Sequence, residues 1–154
     1  MKLVIFDVDG TLSPRRLTST AAFERTFLPG VVTKLAILKK QGAILALATN
    51  QGGAERERPI RLSTGDVLAH LRWLQQRLGI DAIRFATTKR RKKPKPTMLN
   101  ELMCQFNAAP QETLFVVDEE SDRLAARAAG IQFVCAGEFF AWRDWSNLED
   151  WTNL

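Results

Sequence analysis

Two cysteines, Cys104 and Cys135, and one histidine, His70, are all that this 154-residue chain has of those two residue types. Two cysteines exclude both a disulfide scaffold and a four-cysteine zinc site, and read as small apolar core residues. A lone histidine excludes the two-histidine metal motifs and makes a Ser-His-Asp triad a poor fit; His70 reads as a packed or surface residue, not a catalyst. No apolar run approaches the roughly 18 residues of a membrane span. No signal-peptide pattern precedes the strand-like run Leu3-Val4-Ile5-Phe6. The setting expected from these absences is soluble, reducing and cytoplasmic.

Excess positive charge is missing from most of the chain as well. There are 22 basic and 17 acidic residues, a net of +5, but Lys89-Arg90-Arg91-Lys92-Lys93-Pro94-Lys95 holds six of the basic ones. Without that run the chain carries 16 basic against 17 acidic residues. An anionic partner must therefore meet this segment, unless the run is a solvated loop. Hydrophobic residues make up 45% and charged residues 25%, the balance of an ordinary globular protein. A chain of this length buries roughly two-thirds of its unfolded surface, so its core needs no covalent staples. One domain over residues 1–154 is expected.

Short apolar runs alternate with stretches of helical periodicity, the pattern of βαβ units around a parallel sheet. Strands are predicted at 3–6, 43–48, 82–86, 113–117 and 131–135. Helices are predicted at 31–41, 63–78, 96–106 and 121–129, with Gly42, Gly79 and Gly130 as stops. The fold class is α/β: a three-layer, Rossmann-like arrangement with a central parallel five-stranded sheet. The tail, 139–154, carries Trp142, Trp145 and Trp151 and reads as a helix docked on the body or as a subunit contact. The sequence leaves the oligomeric state open.

Ligands of open α/β sheets collect outside the carboxyl ends of the strands. The first strand ends in Asp7-Val8-Asp9-Gly10-Thr11, the second in Thr49-Asn50-Gln51-Gly52-Gly53, and the fourth in Asp118, with Asp122 beyond. Lys93 comes between the last two in sequence. Carboxylates, a hydroxyl and an ammonium at one edge describe a divalent-metal and phosphate site. Asp7 and Asp118 can hold one Mg²⁺ with a backbone carbonyl near Asp9. A carboxylate can serve as covalent nucleophile toward phosphorus. Asp9 can protonate the leaving oxygen and later activate water. Thr49 and Lys93 can bind phosphoryl oxygens, with Asn50, Arg90 and Arg91 as further substrate contacts. Asp118 and Asp122 can equally be helix N-terminal charges, Asp122 can support the metal site from behind, and Lys92 and Lys95 compete with Lys93 for the phosphate.

This set resembles the haloacid dehalogenase superfamily of phosphatases. Asp7-Val8-Asp9-Gly10-Thr11 matches the family's first motif in full. Thr49-Asn50-Gln51 resembles the second motif as it stands in the histidinol-phosphate and heptose-bisphosphate phosphatases, a branch similar to the polynucleotide 3′-phosphatases. Lys93-Pro94-Lys95-Pro96-Thr97-Met98 resembles the third, Lys-Pro-x-x-Gly-Met, with Thr97 in place of Gly. Asp118-Glu119-Glu120-Ser121-Asp122 resembles the fourth. The resemblance implies Asp7 as nucleophile, Asp9 as acid and base, and Mg²⁺ at Asp7, Asp9 and Asp118. The implied reaction is phosphomonoester hydrolysis through an aspartyl-phosphate.

That heptose-bisphosphate branch often carries a Cys/His zinc loop before the third motif. Here Thr87-Thr88-Lys89-Arg90-Arg91-Lys92 offers zinc no ligand, so no zinc is expected. The gaps from Asp7 to Thr49 and from Thr49 to Lys93 are used up by the expected loops and helices, which makes the fold capless. Arg15, Arg16, Arg56, Arg58 and Arg61 fall on loops at the same edge as the basic run. The expected substrate is therefore multiply charged, a phosphorylated small molecule or a nucleic-acid end. The alternatives are a polynucleotide 3′-phosphatase and a catalytically weak anion-binding module.

Overall fold

Apolar side chains occupy both faces of the central strands, a pattern that only a sheet covered on both sides tolerates. The computed structural model describes residues 1–16, 22–52 and 63–141. Strands β1 (Leu3–Phe6), β2 (Ile44–Asn50), β3 (Ala82–Ala86), β4 (Thr113–Val117) and β5 (Gln132–Cys135) form one parallel sheet in the order β3-β2-β1-β4-β5. Val4, Phe6, Leu45, Leu47, Leu114 and Val116 point to one face. Leu3, Ile5, Ala46, Ala48, Phe115 and Val117 point to the other. The period of two within each strand thus divides the core into two clusters.

Helices α1 (Val31–Lys40) and α2 (Thr64–Leu78) cover the first face through Val31, Leu35, Val67, Leu71 and Leu74. Helices α3 (Thr97–Phe106) and α4 (Glu120–Ala129) cover the second through Met98, Leu99, Leu102, Ala125 and Ala126. Local chemistry sets the helix ends. Ser63 and Asp66 form a reciprocal capping box at the start of α2. Gly79 and Gly130 close α2 and α4 in the left-handed conformation, as predicted.

The differences from the sequence reading are local. Strand β2 runs on to Asn50 because Thr49 and Asn50 still pair with Phe85 and Ala86 of β3. Phe139 ends a short helix, α5 (Ala136–Phe139), instead of opening a long one. It packs with Phe140 on Phe6, ring centroids 5.7 and 6.4 Å away. Trp142, Trp145 and Trp151, like Arg56, Arg58 and Arg61, lie outside the described residues. The cysteines are not core residues: Cys104 is exposed on α3, and half-buried Cys135 accepts a hydrogen bond from Arg123 at 3.2 Å. Position 104 falls off the face of α3 that Met98, Leu99, Leu102 and Met103 bury. Among the described residues no helix is long and apolar enough to cross a membrane.

Candidate active site

β1 sits between β2 and β4, at the point where the strand order reverses, so the loops after these strands open a crevice. Asp7 follows β1 directly, with its backbone N–H donating to Val116 O of β4 at 3.2 Å. The chain then turns tightly, and the N–H groups of Thr11, Leu12 and Ser13 converge on Val8 O at 3.1, 2.9 and 3.1 Å. Gly10 holds this turn with φ +79°, and the Asp118 carboxylate lies where its β-carbon would be. A side chain at position 10 would strain the backbone and have to displace that carboxylate. The result is a small cleft lined by Asp7, Asp9, Thr49, Asn50 and Lys93, joined by Glu119, Ser121 and Asp122 from the β4–α4 turn.

Lys93 organises the cleft. Of the three lysines left in competition by the sequence, Lys93 reaches Asp7: its Nζ donates to Asp7 Oδ1 at 2.9 Å and to Ala48 O at 2.9 Å, and meets Asp122 Oδ1 at 2.5 Å. An ammonium has three protons, and these three acceptors use them all. Lys93 therefore fixes the Asp7 carboxylate instead of waiting free for a ligand. Asn50 holds the lysine's backbone from across the crevice, accepting from Lys93 N at 2.9 Å and donating to Lys93 O at 3.1 Å. That side chain is a clamp on the loop as well as part of the lining. Asp122 also caps α4, its Oδ2 accepting from the N–H groups of Asp118 and Glu119 at 3.4 and 3.2 Å. Asp122 thus caps α4, one of the roles the sequence leaves open for it, and pairs with Lys93 as well.

Asp9 is held from its other side. Arg16 Nε donates to Asp9 Oδ1 at 3.3 Å and Arg16 Nη2 to Asp9 Oδ2 at 3.2 Å. Gln51 Nε2 donates to Asp9 Oδ2 at 3.1 Å and to Thr49 Oγ1 at 3.0 Å. The Thr49 hydroxyl thereby accepts from Gln51 and keeps its own proton to donate. Asp118 stands at the rim, paired with Arg15, which also meets Glu119 at 2.5 Å. Arg91 is drawn away from the cleft to Glu101 of α3 at 2.7 Å. Arg90 is exposed on the turn leading into Lys93, and Lys92 lies against Gly52.

Burial pushes the Asp7 carboxyl up to about 7; Lys93 pulls against that shift and Asp122 adds to it. Burial also works against the Lys93 charge, but Asp7 and Asp122 outweigh it and hold the ammonium above the ordinary lysine value. Two buried carboxylates around one ammonium leave the centre short of a positive charge. Asp7 and Asp118, from the ends of neighbouring strands, offer hard oxygens of the kind Mg²⁺ takes, one or two carboxylates with water and phosphate oxygens filling the remainder. Charge deficit and donor type both fit such an ion. Sequence reasoning missed the side-chain brackets: Arg16 with Gln51 on Asp9, Arg15 on Asp118, and Asn50 on the Lys93 backbone. The only signal for them was the presence of these residues on loops at one edge.

Residues 24–136 match the sequence profile of the haloacid dehalogenase-like hydrolases. The D-glycero-β-D-manno-heptose-1,7-bisphosphate 7-phosphatase of Neisseria meningitidis is 30% identical over 138 residues, covering 84% of this chain and 74% of that protein. A phosphoglycolate phosphatase of Pseudomonas putida is 39% identical over 106 residues, 69% of this chain and 35% of its own length. The chain spans less than half the length of the phosphoglycolate phosphatases it matches first. Among solved structures, the D,D-heptose 1,7-bisphosphate phosphatase of B. bronchiseptica, complexed with magnesium and phosphate, superposes with a TM-score of 0.75. The two are 26% identical, and the match covers 86% of this chain and 79% of that one.

Proposed function

The chain belongs to the haloacid dehalogenase-like hydrolase family, and from that membership and the geometry of the cleft we propose that it is a Mg²⁺-dependent phosphomonoester hydrolase with Asp7 as nucleophile. The observation that carries this reading is the Asp7 carboxylate, buried at a strand end, fixed by Lys93 and sharing a cleft with Asp9 two residues on.

Mg²⁺ held by Asp7, Asp118 and the Asp9 carbonyl would offset the repulsion between a phosphoryl dianion and a carboxylate. Asp7 attacks phosphorus, the bond from phosphorus to the ester oxygen breaks, and Asp9 gives that oxygen its proton. Asp9, now a carboxylate, takes a proton from water; the water oxygen attacks phosphorus, and Asp7 leaves as inorganic phosphate forms. Thr49 donates to a phosphoryl oxygen, and Lys93 keeps Asp7 oriented throughout.

The substrate class favoured is a small phosphate ester that carries a second anionic group. Both named relatives act on such compounds, one with a second phosphate and one with a carboxylate. The exposed Arg90, on the turn before Lys93, supports the same reading. The nucleic-acid alternative rests on the basic run and on the resemblance of Thr49-Asn50-Gln51 to a branch similar to the polynucleotide 3′-phosphatases. Phosphate release from a panel of sugar bisphosphates, phosphoglycolate and 3′-phosphorylated oligonucleotides tests this, with and without Mg²⁺. Asp7→Asn should lower turnover by at least about 10³-fold. Turnover that ignores Mg²⁺, or a variant within a few-fold of wild type, would refute the assignment.

A further inference from the structure

A general acid must be aimed, and the backbone turn after β1 fixes only the Cα of Asp9. Its carboxylate takes its direction from side chains. Arg16 forks onto both oxygens, at 3.3 and 3.2 Å, while Gln51 reaches Oδ2 at 3.1 Å. Those two side chains also hold each other, Arg16 Nη2 donating to Gln51 Oε1 at 2.7 Å. Gln51 is buried, and its backbone N–H is tied to Ala86 O of β3 at 2.8 Å.

The guanidinium is supported in turn. It lies 4.1 Å from the centroid of the Phe23 ring. Phe23 stacks on His70 of α2 at 4.1 Å and 11°, and His70 lies beside Trp73 at 5.8 Å and 20°. Phe27 closes the column against Trp73 at 4.9 Å and 7°. Each inner ring uses its faces on its neighbours, so the column acts as a support and not as a platform for a ligand. Burial lowers the His70 pKa to about 4 against the pull of Asp9, with Arg16 and Arg25 adding to the shift, so this support is uncharged at neutral pH.

We propose that Arg16, carried on Phe23 and locked by Gln51, is the positioning residue that aims Asp9 at the leaving-group oxygen. The proposal rests on the phosphatase reading above. A planar fork on both carboxylate oxygens fixes the plane of Asp9, which a single-point donor such as Lys does not. Arg16 touches neither phosphorus nor the ester oxygen. Its effect passes through the proton that Asp9 delivers.

The test is single-turnover release of the leaving group from two esters, an alkyl phosphate whose alkoxide needs a proton and 2,4-dinitrophenyl phosphate whose phenolate does not. In Arg16→Ala, release of the alcohol should slow about 30- to 100-fold, the scale of a misplaced acid. Release of dinitrophenolate should slow at least about ten times less, with KM for both esters within about threefold. Added guanidinium chloride should restore part of the alcohol release, and Arg16→Lys should behave like Arg16→Ala. Phe23→Leu keeps the guanidinium but removes its support, so it should show the same leaving-group bias, weakened to about 3- to 10-fold. Equal losses on both esters, or no loss in either variant, would overturn the proposal. If wild type hydrolyses neither ester, the phosphatase reading itself falls, and if Asp7→Asn hydrolyses both, the nucleophile assignment falls; if Asp7 is essential and the bias is absent, only the role of Arg16 falls.

Discussion

Substituting Lys93 by Met keeps the length of the side chain but removes the ammonium that Asp7, Asp122 and Ala48 O share. Removing one partner of a buried ion pair costs about 3–5 kcal/mol, because the other charge is left uncompensated. Two carboxylates are stranded here, and protonation of one keeps the loss within that range. For a chain of this size about 1 kcal/mol moves Tm by about 3 °C, so Lys93→Met should lower Tm by about 10–15 °C near pH 7.5 without metal. The loss should depend on pH in a definite direction. Burial raises Asp7 to about 7 even with Lys93 in place, and without the ammonium the value moves higher. A carboxyl whose folded pKa exceeds its unfolded value, about 3.9, binds protons the unfolded chain has released between the two. Stability therefore falls as pH rises through that window, and in the variant the fall continues to higher pH. Thermal unfolding followed by circular dichroism in EDTA should show the gap between wild type and variant narrowing near pH 5 by up to about 1 kcal/mol, or about 3 °C. A loss below about 3 °C, or one that is the same at both pH values, would refute the charge balance argued for the site.

Arg15→Ala frees Asp118 and Glu119 from their guanidinium, so calorimetric titration should show Mg²⁺ binding about 2- to 5-fold tighter; unchanged or weaker binding would count against Asp118 as a ligand. His70 is buried in its stack, with its pKa lowered from 6.5 to about 4 by burial. The unfolded chain then binds the proton first, so His70 withdraws up to about 3 kcal/mol of stability as pH falls from about 6.5 to about 4. Urea unfolding of His70→Phe beside wild type should show the variant lacking that part of the acid sensitivity, and parallel pH profiles would refute it.

Much of the scaffold was legible because its signals are local. The runs at 3–6, 82–86 and 113–117 are strands with those bounds, and Gly79 and Gly130 stop their helices where a left-handed residue is needed. The end of β2 was misplaced because Thr49 and Asn50 are polar, whereas what keeps them in the strand is the ladder to Phe85 and Ala86. Pairing across 36 residues leaves no mark in the apolar pattern. The cysteines were misread for a related reason: residue type favours burial, but the face of α3 that meets the sheet was set by Met98, Leu99, Leu102 and Met103.

The site divides along the same line. That Asp7, Asp9, Thr49 and Lys93 share one cleft was legible because ligands of parallel sheets collect at the carboxyl ends of the strands, and the backbone delivers these residues there. The residues that aim them were not, because each bracket joins loops far apart in sequence. Arg15 meets Asp118 across 103 positions, and Asn50 meets Lys93 across 43. Arg91 shows how such choices escape a charge count. It belongs to the basic run, yet its guanidinium lies on Glu101, ten residues on and one turn into α3. An acidic partner within reach on a helix face takes the cation before a ligand arrives. Arg90, one position earlier, is exposed on the same turn. The difference between the two arginines lies in Glu101, not in the basic run that contains them both.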